Sequence, residues 1–254
     1  MSKQRVLITA GASGIGYAIA LAFNSRGADV TVVDIDSEGL NRLQLEQPSI
    51  RTAVCDVAER NSLEHAIPGL IEAMGGLDVL VNNAGVSGPT APVDQLDPDE
   101  WDNVMRINLN GTFNVTRLAI PALKRSSHPS IIHMSSVAGR LGYPDRSPYS
   151  TSKWGLIGFT KSLSRELGVF GIRVNAILPG AVEGERFDSV LKGRANLSGN
   201  SVEEERTKAF SVQSLQRLVD PKDIAELAVF LASDAGKSIS GQLLPIDNDM
   251  QQTM

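Results

Sequence analysis

Cysteine is almost absent from this sequence: 254 residues contain one, Cys55. A lone thiol cannot close an internal disulfide. Its place after the strand-like Thr52-Ala53-Val54 reads as a buried, inert thiol rather than a reactive one. Histidine is nearly as scarce. His65, His128 and His133 share no metal-ligand spacing, so no metal site is expected, and His133 reads as a packed or hydrogen-bonded strand residue. Basic excess is lacking too. The 24 Lys and Arg are outnumbered by 29 Asp and Glu, for a net charge of -5, which argues against binding a phosphate backbone. No run approaches the roughly 18 apolar residues of a membrane span. The segment Met1–Arg5 leads straight into an apolar strand and leaves no room for a signal peptide. Together these absences predict a soluble cytoplasmic protein whose partner is a small molecule, not nucleic acid or membrane.

What is present is a core-forming chain of 42% hydrophobic residues. Short apolar runs alternate with segments of helical period. The runs are Val6–Thr9, Val30–Val33, Ala53–Cys55, Val79–Val81, Ile131–Met134, Val174–Ile177 and Leu243–Ile246. Long helices are predicted near 101–126 and 150–168. Continuous apolar strands separated by helices predict an α/β fold: a doubly wound parallel sheet covered on both faces. No linker divides the chain, so residues 1–254 read as one domain, without repeats. Residues 183–211 differ, being polar, charged and glycine-containing. Their place beyond a strand's carboxyl end favours a substrate lid over a plain surface excursion.

The first strand runs into Gly11-Ala12-Ser13-Gly14-Ile15-Gly16 and then a periodic helix. Glycines there let the backbone approach a pyrophosphate at the N–H-rich, positive end of a helix. Asp34 ends the second strand about 20 residues beyond these glycines, where a carboxylate can hold the adenosine ribose hydroxyls. It would repel a 2′-phosphate, and Ile35 rather than a basic residue follows it, so the expected cofactor is NAD rather than NADP. The bland alternative for Asp34 is a helix cap. Asp56 and Val57, after the third strand, are placed to contact adenine.

Tyr149-Ser150-Thr151-Ser152-Lys153 sets a phenol and an ammonium one helical turn apart. A free phenol titrates near pH 10 and is a poor base at neutrality. A positive charge about 4 Å away at an effective dielectric of about 20 is worth roughly 4 kcal/mol, or about 3 pKa units. Tyr149 could then take an alcohol proton as the hydride leaves for nicotinamide, and return it to a ketone in reverse. Otherwise it is an exposed aromatic at a helix start. Ser136, at the end of the fifth strand, can hydrogen-bond the substrate oxygen. Asn108 sits mid-helix, where a buried amide must be satisfied, and could hold a water leading from Lys153 to solvent. Asn110 competes for that role. No nucleophile elbow surrounds Ser136, which argues against a hydrolase. Glu203-Glu204-Glu205 reads as a solvated helix start.

At these residues the chain resembles the classical short-chain dehydrogenases/reductases over essentially its whole length. The pieces are the N-terminal glycines, Asn82-Asn83-Ala84-Gly85, Asn108, Ser136, Tyr149, Lys153 and Pro179-Gly180. The resemblance implies a seven-stranded Rossmann sheet, an Asn–Ser–Tyr–Lys mechanism without metal, and a homo-oligomer, commonly a tetramer. It also implies that Lys153 binds the nicotinamide ribose and that Asn83 and the segment around Val182 touch the cofactor. Two positions depart from the family. Ala10 stands where glycine is usual, and fits only at negative φ unless Gly11 absorbs the difference. Gly184 stands where threonine often orients the carboxamide.

The resulting expectation is an NAD-dependent oxidoreductase acting on a secondary alcohol or ketone. Arg140 and Arg146, before Tyr149, and Arg186 and Arg194, in the lid, could pair with an anionic group, which would favour a hydroxy acid or sugar-derived acid. The alternatives are a non-catalytic NAD-binding interaction protein, or a dehydratase or epimerase on the same fold.

Overall fold

The computed structural model describes residues 3–253; Met1, Ser2 and Met254, the ends of the segments read above, lie outside it. Seven strands form one sheet: β1 (Arg5–Thr9), β2 (Asp29–Asp34), β3 (Arg51–Val54), β4 (Val79–Asn82), β5 (Ser130–Met134), β6 (Arg173–Pro179) and β7 (Leu243–Ile246). Their order is β3-β2-β1-β4-β5-β6-β7, and every pairing is parallel. β1 pairs on one side with β2 and on the other with β4, so the winding direction reverses between β1 and β4. Such a reversal opens a crevice beyond the strands' carboxyl ends.

The helices are α1 (Gly14–Ser25), α2 (Ser37–Glu46), α3 (Arg60–Ala73), α4 (Pro98–Met105), α5 (Thr112–Leu123), α6 (Ser147–Leu167), α7 (Glu185–Ser198), α8 (Val202–Ser211) and α9 (Pro221–Ala232). Two apolar clusters cover the two faces of the sheet. Ile19 and Phe23 of α1 and Ala225 and Leu231 of α9 pack on one. Leu63 and Ile67 of α3, Val115 of α5 and Leu163 of α6 pack on the other. This is why the strands read as unbroken apolar runs.

One element differs from the sequence expectation and one segment gains definition. The helix expected over 101–126 is α4 and α5 joined by a π-helical turn, Arg106–Gly111, which carries Asn108. The apolar period does not reveal this turn, because the buried Val104, Asn108, Gly111, Val115 and Ala119 keep the three-to-four spacing of an ordinary helix through it. Residues 183–211, for which the sequence suggested no elements, hold two helices, α7 and α8, broken at Gly199, φ 76°.

Candidate active site

The crevice gathers the residues expected to hold a cofactor. Ser13, extended at φ -154° and ψ 171°, precedes α1 without turning its side chain back to cap it. α2, α4, α8 and α9 begin otherwise, with Asp36, Asp97, Ser201 and Asp220 accepting from their own first-turn N–H groups. The first amides of α1, from Gly14 through Ile15 to Gly16, are therefore left for an outside acceptor at the helix's positive end. A Cβ on Gly16 would stand 2.2 Å from the Ala10 carbonyl oxygen and 2.6 Å from Asn83 Nδ2, so glycine is required for α1 to sit this low.

Asp34 is fixed beside that turn. Its Oδ2 accepts from the Ala12 N–H at 3.0 Å and its Oδ1 from the Asp36 N–H at 3.1 Å. Asp36, not Asp34, caps α2, which removes the bland alternative. Beyond β3, Asp56 closes its own loop by accepting from the Ala58 N–H, and buried Val57 packs against Gly111. Beyond β4, the Asn83 and Ala84 N–H groups both donate to Thr9 Oγ1, and Asn83 Nδ2 donates to the Thr9 and Ala10 carbonyls. Beyond β6, Gly180 lies so close to Asp247 that a Cβ would come within 2.8 Å of its Cα, and Val182 bridges to Val219. An uncapped helix start, a backbone cradle and a fixed carboxylate at one sheet edge suit a dinucleotide.

The residues expected to do chemistry lie on the next strand over. Ser136 follows β5, nearly buried, its Oγ 3.5 Å from the Pro179 carbonyl and accepting from the Ala138 N–H at 3.2 Å. The turn it opens is held to α6, because Ser150 Oγ donates to the Ala138 carbonyl and Ser135 Oγ to the Lys153 carbonyl. Tyr149 and Lys153 share a face of α6, with Nζ 5.6 Å from the phenol ring centre. Lys153 is buried and donates to the Met134 carbonyl at 2.9 Å. Burial, with the Arg186 charge adding to it, pulls its ammonium down to about 7. Asn108 Oδ1 accepts from the Val86 N–H, while Nδ2 donates to the Val86 carbonyl and to Ser152 Oγ. These bonds clasp the β4 loop to α6 and satisfy the buried amide.

Comparison with known proteins is decisive at family level. A family model described as enoyl-(acyl carrier protein) reductase matches residues 9–250. A 3-oxoacyl-[acyl-carrier-protein] reductase of Thermotoga maritima is 35% identical over 248 residues, 96% of each chain. The chain belongs to the short-chain dehydrogenase/reductase family. A solved actinorhodin polyketide ketoreductase with NADPH superposes with a TM-score of 0.93 at 32% identity, over 98% of this chain and 97% of that one. An NAD⁺-bound xylitol dehydrogenase gives 0.92 at 26% identity, over 96% and 97%. The protein is accordingly an oxidoreductase of secondary alcohols or ketones that binds a nicotinamide cofactor.

As a family member it is unusual where its sequence departs. Ala10 does not take the negative φ expected of it: it sits at +53°, and Gly11 does not relieve it. Its N–H donates to the Val33 carbonyl at 2.7 Å and its own carbonyl accepts from Asn83, so the turn holds alanine in a glycine conformation. Gly184, at φ 135° and ψ 174°, starts α7 from backbone open essentially to glycine alone. Threonine would not fit that conformation, so the departure is built into the start of α7.

The arginines divide. Arg140 pairs with Asp247 at 2.7 Å and leaves the proposed group. Arg186 Nη2 donates to the Gly85 carbonyl at 2.6 Å, above Lys153. Arg146 and Arg194 stack on the Tyr143 ring, their guanidinium carbons 5.5 and 5.1 Å from its centre. Sequence reasoning missed three residues. Thr9 organises the β4 loop through one hydroxyl. Tyr143 lies edge-on to Tyr149, with ring centres 6.4 Å apart. Glu205 is no solvated acid: it is buried and accepts from Asn200, Ser198 and Lys208, hydrogen bonds that bring its carboxyl to about 2 and stitch α7 to α8. Ser201-x-x-Glu204 was a legible capping box; Glu205 was not legible, since a charge run looks the same buried or solvated.

Proposed function

We propose that this enzyme transfers hydride between NAD and a secondary alcohol or its ketone, with Tyr149 as the acid/base. The observation that carries the reading is the placement of Tyr149 and Lys153 on one face of α6, tied through Ser135 and Ala138 to the Ser136 turn at the crevice. Bound nicotinamide supplies the hydride acceptor or donor. Ser136 orients the substrate oxygen and Tyr149 exchanges its proton, with Lys153 Nζ held 5.6 Å from the phenol ring. Asn108 positions these groups by fixing Val86 and Ser152. The α1 amides, Asn83 to Gly85, and Pro179 to Val182 cradle the cofactor. α7 and α8 act as the lid.

The preference for NAD rests on Asp34. Its carboxylate faces the glycine turn, and the next residue, Ile35, is 68% exposed with no charge to offer a 2′-phosphate. The proposed state is a homo-oligomer, a tetramer by resemblance to the family. Among possible substrates, those bearing an acid group are favoured by Arg146, Arg186 and Arg194.

Absorbance at 340 nm across a panel of secondary alcohols tests the reaction. Wild-type enzyme should accumulate NADH, and Tyr149→Phe should lose about 10²–10⁴-fold in kcat/KM while keeping NADH affinity. Turnover without net NADH would favour a dehydratase or epimerase. Binding without turnover would favour an interaction protein. For the cofactor, Asp34→Ala should narrow the NADH to NADPH affinity ratio at least tenfold; an unchanged ratio would remove the basis for NAD.

A further inference from the structure

Arg146 is a buried cation without an acid. It is 2% exposed, directly before α6 and three residues from Tyr149. Its Nη2 donates to the Ser87 carbonyl at 2.7 Å and its Nη1 to Thr90 Oγ1 at 3.3 Å. Its buried Nε has no partner. Among the described residues no carboxylate pairs with it, its neighbour Asp145 included, and the like charges of Arg194 and Arg186 act on it unfavourably. A buried, incompletely bonded guanidinium costs several kcal/mol unless something offsets it. Here the offset within the chain is two aromatic faces, Tyr143 at 5.5 Å and Tyr149 at 5.4 Å. A salt bridge that merely stabilised the fold would have been completed within the chain.

We infer that Arg146 is the anion subsite of the active site and takes a carboxylate of the substrate, with Arg186 closing over it from α7. The subsite rests on the oxidoreductase reading and deepens it by naming the substrate class. Its position sets the class. The guanidinium stands against the same phenol ring that Lys153 approaches at 5.6 Å. A carboxylate paired with Arg146 therefore lies only a few bonds from a carbinol held at the Tyr149 hydroxyl, which selects short hydroxy acids over long-chain or uncharged alcohols. Arg186 is exposed, and its Nη2 donates to the Gly85 carbonyl, a single hydrogen bond that it can exchange for a bound acid on opening and closing.

The test compares C3–C6 hydroxy acids with their methyl esters, using the full chain and NAD⁺, and measures malonate binding to the enzyme–NADH complex by calorimetry. Wild type should prefer acid to ester by at least 100-fold in kcat/KM, mainly through KM. Arg146→Gln should collapse that ratio towards one and abolish malonate binding, Arg146→Lys should restore part of both, and Arg186→Gln should cut the ratio about tenfold. If wild type turns over acid and ester equally, or Arg146→Gln binds malonate like wild type, the subsite is overturned while the oxidoreductase reading stands. If no alcohol is oxidised, that reading fails, and malonate binding to wild type, present or absent, still decides for or against the subsite. Should Arg146→Gln fail to fold, the wild-type acid-to-ester ratio and the Arg186→Gln variant decide.

Discussion

At the scale of the residue, the site is built from side chains held against their ordinary preferences. Ala10 is the clearest. An L-residue in the left-handed region loses about 1–2 kcal/mol, and here two hydrogen bonds at the head of the cofactor turn hold it there. Ala10→Gly removes the steric cost without touching those bonds. Relief of that about 1–2 kcal/mol, less about 0.5–1 kcal/mol for the extra chain entropy of glycine, leaves a net gain of under about 1 kcal/mol, so the variant should raise the melting temperature by roughly 2 °C. Scanning calorimetry checks this; a lower melting temperature would mean that the turn is not strained. Lys153, Arg146 and Asp34 show the same pattern in charge. Each is a charged group fixed by neighbours that leave part of its bonding unused at the crevice.

At the scale of the element, β5 and α6 are joined by a histidine that fits only when neutral. His133 is fully buried, with Nδ1 2.9 Å from Thr160 Oγ1 and its ring stacked on Phe159. Thr160 donates its own proton to the Leu156 carbonyl, so His133 Nδ1 is the donor in the pair. Burial first, and the Lys153 charge second, bring the imidazole down to about 3 from 6.5. The unfolded chain therefore binds this proton more readily than the folded one. The contribution of neutral His133 is complete above pH 6.5 and is lost as pH falls towards 3, by up to about 1.4 kcal/mol per unit. Denaturant unfolding should show stability falling between pH 7 and pH 5. His133→Leu, less stable at pH 7, should follow a flatter acid limb; an equally steep limb would assign the loss to other groups.

At the scale of the whole molecule, the proposed strand-end residues all lie beyond one edge of the sheet, the carboxyl ends of β1 to β6, and α6 brings Tyr149 and Lys153 to the same edge. The two long helical segments, which cover one face of the sheet, show Phe113 of α5 at 49% exposure and Trp154 of α6 at 50%. Large apolar side chains left open on both of these helices suit burial against a second copy. Light scattering should give about four times the chain mass, and Phe113→Glu with Trp154→Glu should reduce it. A wild-type monomer would sink the oligomer proposal. Among the described residues no helix is long and apolar enough to cross a membrane.

The sequence by itself determined the strands, the glycine turn, the carboxylate after β2 and the Tyr149–Lys153 spacing. Each is a local pattern: an apolar run, a residue type at a fixed offset, a helical turn. What it could not determine were relations between segments far apart in the chain. That Asp247 claims Arg140, that Asn108 bonds to Val86, and that Glu205 is buried depend on which partner a side chain meets after folding. Four arginines look alike in sequence, because charge is a property of the residue. Whether that charge is paired is decided only by the neighbours the tertiary structure supplies, and at Arg146 it supplied aromatic faces instead of an acid.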